Sequence, residues 1–476
     1  MEFKHVRGSA LILFDRLLKI PSIMALVIIS FIFYKELDFN TLYPILILAF
    51  SPLTGFMKYS STYYTLEDGH IIVESGIFHK KRMEIPFWQV TTVDLSQNII
   101  YQLFKTYRVK IDNASQGGDS GNNAEVLLAL KREQAFEFKR IITREITTES
   151  IEPEYGKVIT ASSLDFLKLG LLQSKLIYFF SGAPIAVPLI TGIGALFTGA
   201  KSSDEFLDTV VSLGSMEIVI LEVAIFFYLI ALMVSVFSSL LTYYDFKISG
   251  DANTLKVQYG LLTKRKYTLP KRKINGVVLK QNLLMRLFHC YRVEVLVIGY
   301  GDESDDELNG RPIIYPIASI KQIKRILWEL LPDYELADHP CRPDKKAIRY
   351  FFLNTGFVIA VLIFIASLFT KDVIFIMPAA VLVIFAGISV ILQYLSTGIF
   401  YGANNITLSS GGYHRTITLI RTASIESFTA ESNLWKMKNG IVSISIGFMA
   451  PALSAQVIAL NLPVEQYQLL EKGIEY

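Results

Sequence analysis

The sequence predicts a membrane α-helical plus α+β protein. Six transmembrane helices form three hairpins, and each hairpin is followed by a small β-barrel or sandwich closed by a C-terminal helix. Three observations carry this. The 476-residue chain is 52% apolar and only 19% charged, with a mean hydropathy of +0.41, which is too apolar for an ordinary soluble chain of that length. The apolar excess is confined to six long runs that arrive in closely spaced pairs. The segments after the pairs repeat one another.

The runs come first in chain order. A membrane helix needs ~20 mostly apolar residues. Candidates are 17–34, 41–57, 175–199, 216–241, 349–369 and 373–395. The loops inside the pairs hold Lys35, Lys201 and Lys371 against six acidic residues. Lys58, Lys168, Lys175, Lys247, Lys345, Lys346 and Arg349 sit at the edges of the long segments. The positive-inside rule then places the N- and C-termini and all long segments in the cytoplasm of a bacterial inner-membrane protein. The N-terminal apolar run lacks a small-residue cleavage site and reads as an uncleaved helix. The divisions are 1–57 for the N-terminal segment and first hairpin, 58–150 for the first domain, 165–241 and 242–335 for the second pair, and 345–397 and 398–476 for the third.

The repeat fixes the domains. Residues 76–111 align without a gap on 260–295 at a shift of 184, with twelve of 36 positions identical. They include Gly76, Lys80, Pro86, Gln97, Asn98, Leu103, Phe104, Tyr107 and Arg108. A weaker third copy runs from Gly411 to Ile446 at a shift of 335, with Arg421 in place of the proline and Val442-Ser443-Ile444 in place of Tyr-Arg-Val. Alternating apolar and polar residues predict strands near 63–66, 71–74, 82–85 and 90–95. Asp68-Gly69 and Gly76 supply turns between them. A helical turn near 99–104, strands 107–112 and 125–129, and an amphipathic helix 131–144 complete the unit. Copies two and three end alike, with helices 318–331 and 464–472.

Strands closed by one terminal helix is the order a pleckstrin-homology-type barrel needs. The carrying residues are Gly76–Pro86, Val93–Asn98 and Leu103–Val109, repeated at Gly260–Pro270, Val277–Asn282 and Leu287–Val293. On these the chain resembles the bacterial PH domain, formerly a domain of unknown function. The hairpin-plus-domain layout resembles the YdbT-like membrane proteins. The resemblance implies PH-like barrels in all three units, the third divergent. It also implies a partner that is another membrane protein, such as a smaller PH-domain membrane protein. It implies no known activity, and lipid binding by eukaryotic PH domains is fold-level analogy alone.

The search for chemistry is short. The net charge of +3 gives no basic stripe of the kind nucleic acid requires. Gly194–Ser202 is one residue too long for a P-loop, no G-x-S-x-G elbow occurs, and the six histidines are scattered. His339 and Cys341 lack further ligands. Asp302–Glu307 has no EF-hand spacing and reads as a solvated loop. Cys290 and Cys341 read as plain reduced thiols. The expectation is no enzyme, no cofactor and no metal.

Two features remain. Basic residues cluster at one corner of each unit: Lys80, Lys81 and Arg82, then Lys264, Arg265, Lys266, Lys271, Arg272 and Lys273, with only His414 and Arg415 in copy three. They are candidate contacts for an anionic leaflet or an acidic partner, a solvated strand face being the alternative. Glu222 is the candidate intramembrane polar site, with a hydrogen-bonded structural role as the alternative. Glu217, Gln173, Asn354 and Gln393 lie nearer the membrane edges. The functional expectation is a non-enzymatic integral membrane scaffold, its PH domains contacting proteins or the inner leaflet of the bilayer in envelope homeostasis or stress defence. The alternative is a transporter or export component using the six-helix part.

Overall fold

A computed structural model describes residues 6–11, 56, 59–76, 80–113, 126–146, 157–173, 216–298, 311–336, 340–353, 356, 376–448 and 455–473. The first unit comprises β1 (Tyr63–Glu67), β2 (His70–Ser75), β3 (Lys81–Pro86), β4 (Val90–Gln97), α1 (Ile99–Leu103), β5 (Thr106–Asn113), β6 (Val126–Lys131) and α2 (Arg132–Ile146). Next come β7 (Val158–Thr160), α3 (Ser163–Leu172) and α4 (Met216–Thr242). The second unit holds β8 (Lys247–Gly250), β9 (Thr254–Tyr259), β10 (Lys264–Pro270), β11 (Ile274–Gln281), α5 (Leu283–Leu287), β12 (Cys290–Val297), β13 (Ile313–Ser319) and α6 (Ile320–Leu330). After α7 (Ile376–Ser396), the third holds β14 (Gly398–Tyr401), β15 (Asn405–Ser410), β16 (Arg415–Arg421), β17 (Ile425–Glu431), α8 (Leu434–Met437), β18 (Ile441–Phe448), β19 (Ala455–Pro463) and α9 (Val464–Gly473).

The expectation of six transmembrane helices in three hairpins is overturned. Among the described residues no helix is long and apolar enough to cross a membrane. Those residues form mostly β-sheet with few helices. Of the two helices that coincide with apolar runs, α4 leads into the sheet at β8 and α7 into the sheet at β14. The runs 17–34, 41–57, 175–199 and 349–369 lie wholly or mostly outside the described residues.

Each unit folds from the same local rules. Gly76, Gly260 and Gly411 directly follow the second strand of their units at φ of 106°, 105° and 111°, a region that L side chains rarely enter. Pro86 and Pro270 then hold φ at −63° and −65° at the corner into the next strand. Arg421 adopts −64° at the same place, so the third unit keeps the corner without the ring. One β-bulge recurs at Val90/Thr92, Ile274/Gly276 and Ile425/Ser427. The Tyr-Arg-Val strand buries Tyr107 and Val109, Tyr291 and Val293, and in copy three Val442 and Ile444. The identities changed but the inward positions did not. The terminal helix plugs each barrel, with Ala135, Phe138 and Ile142 in the first core and Ile323, Ile326, Leu327 and Leu330 in the second.

The units are not separate beads. A seven-stranded sheet runs β6-β5-β4-β10-β9-β8-β7, and a six-stranded sheet runs β13-β12-β11-β16-β15-β14. The second half-barrel of each unit therefore continues directly into the first half-barrel of the next. The two seams share a register. Gln97 faces Lys264, and its repeat-equivalent Gln281 faces Arg415, the equivalent of Lys264. Pairing satisfies backbone groups that an open edge would expose. At the second seam the cores interlock too: Ile417 and Leu419 pack in the core of the second unit, and Val278 and Leu296 in that of the third.

Candidate functional site

The first part of the site is a short helix that recurs at one tip of every unit. Asn98, Asn282 and Asn433 cap these helices, accepting from the backbone N–H of Tyr101, Met285 and Lys436 at 2.9, 2.7 and 2.8 Å. Tyr101 and Met285 are buried and pin α1 and α5 to their barrels. The opposite face is apolar and exposed: Ile99, Leu103 and Phe104; Leu283, Leu287 and Phe288; Leu434, Trp435 and Met437. Leu103, Leu287 and Leu434 are 78%, 71% and 75% exposed. Lone exposed apolar residues are ordinary, but the same patch built three times marks a contact surface. Basic residues flank it at Lys105, Arg286, Lys436 and Lys438.

The tips lie against the ends of the apolar helices. Gln102 Nε2 donates to the carbonyls of Leu261 and Leu262 at 3.0 and 2.9 Å, and Leu261 N–H donates to Leu241 O at 2.9 Å. Asn282 Nδ2 donates to Leu172 O at 2.7 Å. Tyr350 Oη donates to Trp435 O at 2.7 Å. Those helices are apolar outside as well, at Leu164 and Leu171 on α3, Met233 and Phe237 on α4, and Ile384 and Phe385 on α7.

The second part is a cleft of about 430 Å³ at the seam between the first two units. Lys105, Arg132, Lys264 and Lys266 line it, with Asp245 the acidic member. Asp245 is engaged by Lys247 at 2.8 Å, so the cleft is net positive. Burial, reinforced by the neighbouring Lys264 and Arg132 charges, pushes the Lys266 ammonium below its ordinary pKa. An anionic group entering between these cations would relieve that repulsion. Lys266 also lies 5.9 Å from the centre of the Phe136 ring.

The nine cations singled out in the sequence divide by position. Lys264 and Lys266 line the cleft, and Arg265 lies between them on the strand that joins the units. Lys271, Arg272 and Lys273 form the corner turn of the second unit. Lys273 Nζ donates to Val90 O across the seam at 2.7 Å, and burial brings its pKa down to about 8. Arg421 reaches the carbonyls of Lys271 and Arg272 at 3.5 Å. Lys81 and Arg82 are exposed on β3 and Lys80 is exposed just before it, and Arg82 pairs with Glu84 at 2.8 Å. Glu222 belongs to α4, and its side chain lies outside the described residues. Sequence reasoning missed Lys105, Arg132 and the tips. Leu103-Phe104 and Leu287-Phe288 were visible as repeated apolar pairs, but not as exposed ones. Cys290 and Cys341 are free thiols, and no metal-binding cluster occurs among the described residues.

Comparison with known proteins agrees with this architecture. A family described as bacterial PH domain matches residues 16–146, 206–331 and 356–475. The UPF0699 transmembrane protein YdbT of Bacillus subtilis (strain 168) is 26% identical over 324 residues, covering 64% of this chain and 64% of that protein. The match thus spans less than two thirds of the relative's length. No solved structure matches the chain.

Proposed function

Because the chain belongs to the bacterial PH-domain family, we propose that it is a non-enzymatic, membrane-associated scaffold. Its three tips rest on the inner leaflet, and the cleft of the first seam takes an anionic headgroup or an acidic partner segment. The observation that carries this is the threefold recurrence of an exposed apolar helix flanked by cations. Seating one Leu or Phe in the acyl boundary is worth ~2 kcal/mol, and each basic residue near an anionic surface adds ~1 kcal/mol. Three tips held in one ribbon bind as a unit, so modest single affinities multiply. The relative's name, a transmembrane protein, supports a membrane setting. Its partners are then the bilayer and a second membrane protein docked on the ribbon, not nucleic acid.

Trp435 sits on the third tip, and the chain has only two other tryptophans, Trp88 and Trp328. Full-length protein carrying Trp435 alone, with Trp88→Phe and Trp328→Phe, should be quenched strongly by brominated lipid in reconstituted vesicles. The Trp328-only protein, with its reporter on α6, should not be. Equal quenching of both, or of neither, would show that the tips do not enter the bilayer.

A further inference from the structure

The ribbon has two unused ends, and they match. In both seams the third strand of one unit pairs with the fourth strand of the unit before it: β10 on β4, and β16 on β11. Among the described residues no unit lies before β3, the third strand of the first unit. None among them lies after β17, the fourth strand of the third unit. Among the described residues each has a single strand neighbour, β2 for β3 and β18 for β17. Burial follows suit. β11 is buried at every position but one, whereas β17 is exposed at five of seven.

We propose that β17 of one chain pairs with β3 of a second copy, head to tail, continuing the register of the internal seams. That register can be written residue by residue. Gln97 opposite Lys264 and Gln281 opposite Arg415 translate into Ser432 opposite Lys80. Glu431 then falls opposite Lys81, and Ala430 opposite Arg82.

Charge singles out a second copy as the occupant. Glu431 and Glu426 are exposed on β17. The strands it corresponds to carry no acid at those places: Thr91 and Ser96 on β4, Asn275 and Lys280 on β11. At those two places acid therefore appears only on the open fourth strand, and the open third strand carries Lys81 and Arg82 at its start with Lys80 just before it. A cross-strand pair of opposite charge stabilises pairing modestly, and like charges oppose it. Lysines on an edge ordinarily discourage pairing, yet β10 bears Lys264, Arg265 and Lys266 and is paired along that run. A head-to-tail contact of this kind is heterologous, and it builds a ring or an open filament according to its rotation.

The test is a cysteine cross-link in full-length protein lacking Cys290 and Cys341 (both changed to Ser). Directly opposed strand residues have Cβ atoms close enough for a disulfide. Lys81→Cys and Glu431→Cys on one chain should give, on oxidation, a reducible ladder of dimers, trimers and higher multiples. Chains carrying one cysteine each should give dimers only when mixed. Glu431→Lys should cut native oligomer at least fivefold, and adding Lys81→Glu should restore it. Ser96→Cys with Arg265→Cys, which face each other within one chain, must close in monomers under the same conditions. If that control closes while the Lys81/Glu431 chain stays monomeric, the proposal is overturned. It is equally overturned if Glu67→Cys, at the far edge of the first sheet on β1, links to Glu431→Cys as readily as Lys81→Cys does.

Discussion

Replacing Leu419 by alanine is expected to destabilise two units together, by about 3 kcal/mol. Leu419 is fully buried on β16, a strand of the third unit, yet it packs in the core of the second. It also faces Val277 of β11 across the seam. Truncation removes its apolar contacts and leaves a cavity that the flanking strands can only partly close. The three tryptophans report one unit each: Trp88 follows β3, Trp328 lies on α6 and Trp435 on α8. In single-tryptophan proteins, Leu419→Ala should lower the urea midpoints of Trp328 and Trp435 by matching amounts and leave Trp88 little changed. Ile85→Ala, in the core of the first unit, should do the reverse. A loss confined to Trp435 would mean that the units are stable alone and merely touch.

The second large effect is at Gly260. Its φ of +105° closes the turn from β9 into β10. A Cβ there would lie 2.0 Å from Thr263 O, which no rotamer can relieve because the obstacle is backbone. Gly260→Val should cost about 3 kcal/mol. The damage falls on the start of β10, the three residues that pair with β4, so the first seam should open first. Limited proteolysis should then cut near 260–266, and the cleft should lose its two β10 lysines. Gly387, in α7, has nothing within 4 Å of its Cβ position. Gly387→Ala should be neutral or gain up to ~1 kcal/mol.

The internal logic of each unit was legible because it is local. Turn glycines and strand alternation act within a few residues, and the repeat displayed them twice over, together with the Pro86 and Asn98 positions whose corner and cap roles the structure supplies. The third copy looked degenerate because identity was the measure. Arg421 can adopt the proline's φ, and Val442 and Ile444 can fill the inward positions of Tyr and Val, so the fold survived the loss of the motif. The seams were not legible. Alternation states which face of a strand is buried but not which edge it meets. Lys264–Lys266 therefore read as an open basic corner, when they form the strand that holds two units together. The tips were hidden for a related reason: an apolar pair such as Leu103-Phe104 looks like core until a capped short helix turns it outward. The apolar runs were easy to see, but hydropathy alone does not state what each run becomes, and among the described residues no helix is long and apolar enough to cross a membrane.

Edge-to-edge continuity of the three units is tested most directly by hydrogen exchange. Within Lys264–Lys266 and Arg415–Ile420, the amides that do not face β9 or β15 are the ones that only the seams can protect. Protection of these amides to the level seen in the β11–β12 pair is the expected result. Exchange there at the rate of an open edge strand, with β8–β9 and β14–β15 still protected, would contradict the continuous ribbon and return the molecule to three independent domains.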